Sequence, residues 1–391
     1  MACFVLRLVY FCSVLWAVGA QQYCALTWNR QFANKDGNYE PVLTDSTQLA
    51  QLSANSQLLL EYGASLTAFC EAGHVSNPQQ QSVVVTCEQG HFVPALAQLA
   101  CTAPASFDIA PAEPLLVRQL CAETSALAVR VNSALGWADV YYVCFDTTSK
   151  SAVKSFSLQR AAAYSMQYDV PRPYDRWSDA QYEHFLVPKA YTRRQQILAF
   201  SAVLDNYYEY LADNSLQRGH LNTFAAAAFF VQRNASCEYI NNSPQWMTVN
   251  MGNLHAVETV LAALAFSTNT EMQIFTHSTG RLALPDSSGQ LVPLSLFMDA
   301  DQHLVDVPAY IFKRFSHPGE SRTYVAYVLN NPFLTSVPAE PEDCNDVTAT
   351  TEWWPSEVFR TNTVADIRDG YTWLCSPSNA DLFIAKHTQS L

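Results

Sequence analysis

Between residues 217 and 258 the chain gathers side chains able to move a proton and to grip an anion. Gln217-Arg218-Gly219-His220-Leu221 sets a guanidinium two residues from an imidazole. Tyr239-Ile240-Asn241-Asn242-Ser243-Pro244-Gln245-Trp246 follows, then Asn250, Asn253 and Glu258. An imidazole changes charge near neutral pH and can take or return a proton. A guanidinium makes charge-assisted hydrogen bonds to oxyanions. On a helix, the eight residues from Asn250 to Glu258 correspond to about 80° of rotation and about two turns of rise. Taken singly, each residue has a plainer use: a structural histidine, a capping asparagine, a solvated glutamate, a surface arginine.

The elements that must position these groups can be read from apolar spacing. Leu254, Val257, Leu261 and Leu264 recur at intervals of three and four and predict a helix from about Gly252 to Phe266. A second helical pattern runs from Ile197 to Leu211. Trp137 to Phe145, Met272 to Thr276 and Thr323 to Leu329 read as strands, with a strand or turn after Gln217. Turn signals stand at Pro285-Asp286, Ser288-Gly289 and Asn330-Asn331-Pro332. Strands and helices in this order predict an α+β unit, a mixed sheet with helices packed on it. Ahead of it, residues 21 to about 105 carry four cysteines and short β-like runs such as Ser82 to Thr86, and read as a small disulfide-rich β module. Thr102 to Pro114, with Pro104, Pro111 and Pro114, reads as a linker or domain edge, giving 21–105 and 106–391 as the two parts.

The ordered blocks Arg218-Gly219-His220, Asn241-x-x-Pro244-Gln245 and Asn250 to Glu258 resemble those of the DNA/RNA non-specific endonuclease family. The likeness continues through Gly280 to Pro285, Val307 to Lys313, Asn330-Asn331-Pro332 and Gly370 to Cys375, which look like the extracellular arthropod branch of that family. It covers roughly residues 115 to 385 and implies the ββα-metal nuclease fold. It also implies hydrolysis of DNA and/or RNA, without regard to the sugar, to products ending in 5′-phosphate. By the same resemblance His220 is the general base and Asn250 the protein ligand of a hydrated Mg²⁺ or another divalent ion such as Mn²⁺. Glu258 holds a water of that ion, Arg218 stabilises charge on the phosphate, and Asn241 orders the site and contributes to substrate binding. Such a set fits the chemistry, since phosphodiester hydrolysis needs a base for water and a counter-charge for the crowded phosphoryl oxygens. Mg²⁺ prefers oxygen ligands and keeps several waters.

Departures from the family pattern point to a second reading. Gln217 stands where the family often has Asp, Leu254 where it commonly has Trp, and Ala262 where it usually carries Arg. Together they suggest a nuclease-fold protein that binds nucleic acid with weakened or absent turnover. No Gly-x-Ser-x-Gly, His-Glu-x-x-His, P-loop or dinucleotide fingerprint points to another chemistry.

Arg7, the apolar run Leu8 to Trp16 and the small residues Val18, Gly19 and Ala20 have the layout of a cleavable signal peptide over 1–20, so the protein is expected to be secreted, extracellular and free of the membrane. Nine of the 11 cysteines lie beyond it, which in an oxidising compartment means four disulfides and one odd thiol. By family resemblance the odd one is Cys237, at a position the family commonly fills otherwise. Asn234-Ala-Ser and Asn241-Asn-Ser are glycosylation acceptors, the second inside the candidate site. With 35 acidic against 22 basic side chains and a formal charge of −13, the chain cannot hold a polyanion by overall attraction. A nucleic-acid site must be local.

Overall fold

The computed structural model describes residues 23–28, 39–121, 124–166, 187–299, 302–320, 322–341, 344–355 and 364–376. The expected leader lies outside these residues, as does the C-terminal end of the chain. Backbone proximity divides the chain into two compact units, one running to Ser106 and including 132–138, the other built from Phe107 onward.

In the first unit, Val42–Thr44, Ser65–Phe69, Ser82–Glu88 and His91–Val93 form a four-stranded antiparallel sheet in that order. A ribbon of Tyr23–Thr27 with Gln57–Glu61 accompanies it. So little chain has a small core, and two disulfides, Cys24–Cys87 and Cys70–Cys101, restrict its unfolded state.

The second unit is an eight-stranded sheet. Its spatial order is Thr372–Cys375, Thr323–Leu329, Tyr310–Ser316, Met272–Thr279, Ser151–Gln159, Gly136–Asp146, Ser125–Ser133 and Phe107–Pro111. The fold class is α+β. Six of the seven neighbouring pairs in this sheet have antiparallel registers. The long excursion between Gln159 and Met272 could return the chain in either direction, so spacing alone does not set strand polarity.

Central strands are buried on both faces, which is why Thr323–Leu329 reads as a nearly continuous apolar run. Ala326 and Val328 pack into one core with Leu254, Val257, Leu261 and Leu264 of the helix Asn253–Thr268. Phe312, Val325, Tyr327 and Trp373 form another cluster. All four expected helix positions are buried, each contributing about 1.5–3 kcal/mol by leaving water. The helix ends at Asn269, whose left-handed backbone (φ 48°) returns its N–H to the carbonyls of Ala265 and Phe266. Disulfides Cys121–Cys144 and Cys344–Cys375 fasten this unit, and Cys237 is the described cysteine outside the four bridges.

Two sequence expectations are corrected. The stretch expected as a linker or domain edge contains the division between the units, after Ser106, but its remainder is not a linker: Phe107–Pro111 is an edge strand on Leu127–Val131. An edge strand tolerates a terminal proline, whose missing N–H costs no ladder bond, so Pro111 does not exclude it. The helix expected from Ile197 to Leu211 is two, Arg193–Ser201 and Tyr207–Leu211. Asp205 and Asn206 break it by bonding elsewhere. Asp205 accepts from Ser287, and the Asn206 amide donates to the Pro285 carbonyl. Among the described residues no helix is long and apolar enough to cross a membrane.

Candidate active site

Leu216–His220 pairs antiparallel with Asn242–Trp246, matching Gln217 with Gln245, Gly219 with Ser243 and His220 with Asn242. The second strand leads through the short helix Met247–Met251 into Asn253–Thr268. Two strands and two helices thus carry His220, Asn250 and Glu258. Gly219 is required by closeness, because a β-carbon there would lie 1.8 Å from the buried Gln245 side chain. Gly252 makes the turn between the helices, where a β-carbon would lie 2.5 Å from the Thr248 carbonyl.

The ribbon is held from several directions. Gln196 bonds both the N–H and the carbonyl of Leu216. Asn330, fully buried, accepts from the Trp246 N–H and donates to the carbonyls of Pro244 and Pro308. What the sequence offered as a turn signal is therefore also a clamp under the site. Arg193 donates to the carbonyls of Asn214 and Leu211, closing the connection before the ribbon.

His220 is half-buried, and its Nε2 lies 3.8 Å from the Cys237 sulfur. Arg218, also half-buried, donates through Nη1 to the Tyr239 hydroxyl at 2.9 Å. Nearby, the Tyr191 hydroxyl donates to Asn242 Oδ1 at 2.7 Å. Burial pushes the Tyr191 phenol well up and Tyr239 adds to this, while the Arg218 charge opposes it, so Tyr191 stays a neutral donor.

Asn250 is oriented by the very residue that departs from the family pattern. Its Nδ2 donates to Gln217 Oε1 at 2.9 Å, and in this sense of the pair Oδ1 stays outside the contact. A carboxamide oxygen so presented on a half-exposed residue fits one position around a hydrated hard cation. Among the described residues no group of three or more His, Cys, Asp or Glu could hold a metal.

Glu258 is engaged through both oxygens. Oε2 accepts from Thr223 Oγ1 at 2.8 Å, and Oε1 pairs with Lys313 Nζ at 3.2 Å. Lys313, only 2% exposed, also donates to the Leu221 carbonyl and Thr276 Oγ1, so its three N–H groups meet three acceptors. Thr223 and Lys313 escaped the sequence reading as site residues; a lysine in a strand usually reads as an exposed edge charge. Ala262 is 0% exposed, so this face of the helix is packed where an arginine would need open space.

Asn241 is likewise 0% exposed. Its Nδ2 donates to the carbonyls of Asn222 and Ser236 and its Oδ1 accepts from the Asn222 N–H, all at 2.8 Å. That amide braces the excursion joining the two strands, and a glycan on it is incompatible with the packing. Beside the ribbon's approach, Tyr210 is buried with its hydroxyl on the Pro285 carbonyl, whereas Tyr208 is exposed.

Two strands and the two helices that follow them carry an imidazole, a carboxamide and a carboxylate on neighbouring segments of the chain. The family model for DNA/RNA non-specific endonucleases matches residues 138–378, and the chain belongs to that family. It is similar to the salivary endonuclease of Lutzomyia longipalpis, with 24% identity over 336 residues, 83% of this chain and 75% of that protein. Salivary protein Tsal1 of Glossina morsitans morsitans is 26% identical over 155 residues, 39% of this chain and 36% of that protein. A chain in the crystal structure of the EndoG/EndoGI complex aligns with a TM-score of 0.36 at 13% identity, covering 51% of this chain and 75% of that one.

Proposed function

We propose that this protein is a secreted, divalent-metal-dependent endonuclease that hydrolyses DNA and/or RNA and leaves 5′-phosphate ends. The observation that carries the proposal is the hydrogen bond that ties Asn250 to Gln217, three residues before the half-buried His220 on the same strand. Family membership gives the reaction class. Four disulfides and the likeness to a salivary endonuclease support an extracellular place of action.

His220 takes a proton from the attacking water as the water's oxygen bonds phosphorus and the P–O3′ bond breaks, O3′ leaving with the bonding pair and taking a proton from solvent. Arg218, steadied by Tyr239, donates to phosphoryl oxygens whose charge grows in the transition state. Asn250 Oδ1 would hold Mg²⁺ or Mn²⁺, which when bound supplies Lewis-acid stabilisation of the phosphoryl and leaving oxygens. Glu258, fixed by Thr223 and Lys313, contributes negative charge beside that position. Asn241 holds the loop that shapes the site's edge.

Asn250→Ala tests the metal assignment. We expect the Mg²⁺ concentration for half-maximal cleavage to rise by about tenfold or more, with folding retained. A metal response identical to wild type places the ligand elsewhere. The closed packing at Ala262 favours the second reading, a nucleic-acid-binding protein of low turnover; binding without cleavage by a folded chain would select it.

A further inference from the structure

The eight-stranded sheet holds a cavity of about 490 Å³ that the proposed hydrolysis does not use. Residues directly opposite one another on neighbouring antiparallel strands share a face, so the registers give its floor. Tyr142 stands opposite Phe156, Phe156 opposite Phe275 and Phe275 opposite Arg314, a row across four strands. Their sequence neighbours Ile274 and Phe315 turn the other way, into the core around the helix Asn253–Thr268. The row therefore lies on the face of the sheet opposite that helix. On either side of it this face is covered, by Val117, Cys144 and Val153 at one flank and by Phe312, Val325 and Trp373 at the other. Both covers are fastened. Cys121–Cys144 and a 3.1 Å hydrogen bond from Lys154 Nζ to the Leu120 carbonyl hold the helix Leu115–Leu120, and Cys344–Cys375 holds the second flank. The gap between them is preformed, with its four floor residues half-buried and with Leu116 and Leu158 exposed at its rim.

Volume, lining and charge together select an occupant. A small-molecule site takes about 300–1,000 Å³, mostly apolar walls and a few polar groups. Here three rings form the floor, Phe156 and Phe275 with centroids 4.9 Å apart, and Arg314 closes the row. Three strand spacings set the length of that row at about 14–15 Å, the reach of an extended chain rather than of a compact ring. The two ends differ in sign. Beside Tyr142, Asp139 accepts from its hydroxyl at 2.8 Å and repels an anion there, whereas Arg314 attracts one. Arg160, also in the lining, is paired with Glu271. We propose that the cavity binds an amphipathic carboxylate of the fatty-acid class, its acyl chain over Tyr142, Phe156 and Phe275 and its carboxylate on Arg314. A guanidinium has five N–H donors, so Arg314 can keep its contacts within the protein and still offer a pair of donors to a carboxylate.

The test is calorimetric titration of the full chain, disulfides intact, with decanoate, decanol and decyltrimethylammonium. Neither nucleic acid nor metal is present, so the outcome is independent of the nuclease reading. Wild type, Arg314→Gln, Leu116→Glu and Leu158→Glu are compared, each checked for folding by near-ultraviolet circular dichroism. We expect one decanoate per chain with a negative heat-capacity change, and binding weaker by about tenfold or more for decanol and for the cation. Arg314→Gln should weaken decanoate by about tenfold or more and leave decanol within about twofold. Each rim variant, altered at an exposed residue, should weaken decanoate by about tenfold or more by bringing a like charge to the mouth. Should Arg314→Gln fail to fold, the three ligands and the rim variants still decide. No saturable decanoate binding by folded wild type overturns the proposal, and is also the outcome if a segment of this chain or a second copy fills the cavity. Equal affinity for decanoate and decanol, or decanoate binding unchanged in both rim variants, overturns it as well.

Discussion

Lys313 shows how one buried side chain can organise a site from a distance. It arrives on a sheet strand 55 residues after Glu258 and spends its three donors on Glu258, Leu221 and Thr276. Lys313→Met should destabilise the fold by about 3–5 kcal/mol, because Glu258 keeps a charge without its counter-ion. Adding Glu258→Gln should recover much of that loss. A thermal-melt double-mutant cycle checks the coupling, and additive losses would mean that the pair contributes little. The candidate residues themselves stand out in the sequence, since Arg218, Gly219, His220, Asn250 and Glu258 come as ordered blocks. Their supports do not. Nothing in the spacing announces that Gln217 orients Asn250, that Thr223 and Lys313 occupy Glu258, or that Cys237 faces His220, because each is a tertiary contact between side chains whose types have commoner uses.

At the scale of elements, periodicity located the Asn253–Thr268 helix and its buried face, and most central strands, because apolar spacing reports burial directly. It failed where short polar residues divert the backbone, as at Asp205 and Asn206, and where a proline-bounded stretch became an edge strand. The helix also corrects the significance of Ala262. On sequence, an arginine there would restore a missing contact to phosphate. With the position fully buried, Ala262→Arg should instead lower stability by about 1–3 kcal/mol or more from overpacking and leave cleavage no faster. A denaturant titration beside a cleavage assay checks both halves. A faster enzyme of unchanged stability would show that the helix can open at that turn.

For the whole molecule, charge sets the terms on which a polyanion can bind. A chain of formal charge −13 that grips phosphate at a local site should make few ionic contacts, so affinity should fall gently with salt. With about two or three phosphates neutralised, the slope of log affinity against log salt should be about −2 to −3, far from the −6 to −9 of proteins making six to ten such contacts. Fluorescence anisotropy on the His220→Ala protein in chelator measures it without cleavage, and a steep slope would reveal a basic surface beyond Arg218. The four disulfides belong at this scale as well, two in each unit, restraining a chain expected to work outside the cell.

Cleavage of plasmid DNA and of long RNA by the purified chain and its His220→Ala variant, each with Mg²⁺ and with chelator, tests the central claim most directly. We expect metal-dependent cleavage of at least one substrate by the wild type, 5′-phosphate ends on the fragments, and a rate lower by about 10²–10⁴-fold in the variant at unchanged folding. Undiminished cleavage by the variant, or full activity of the wild type in chelator, would contradict it.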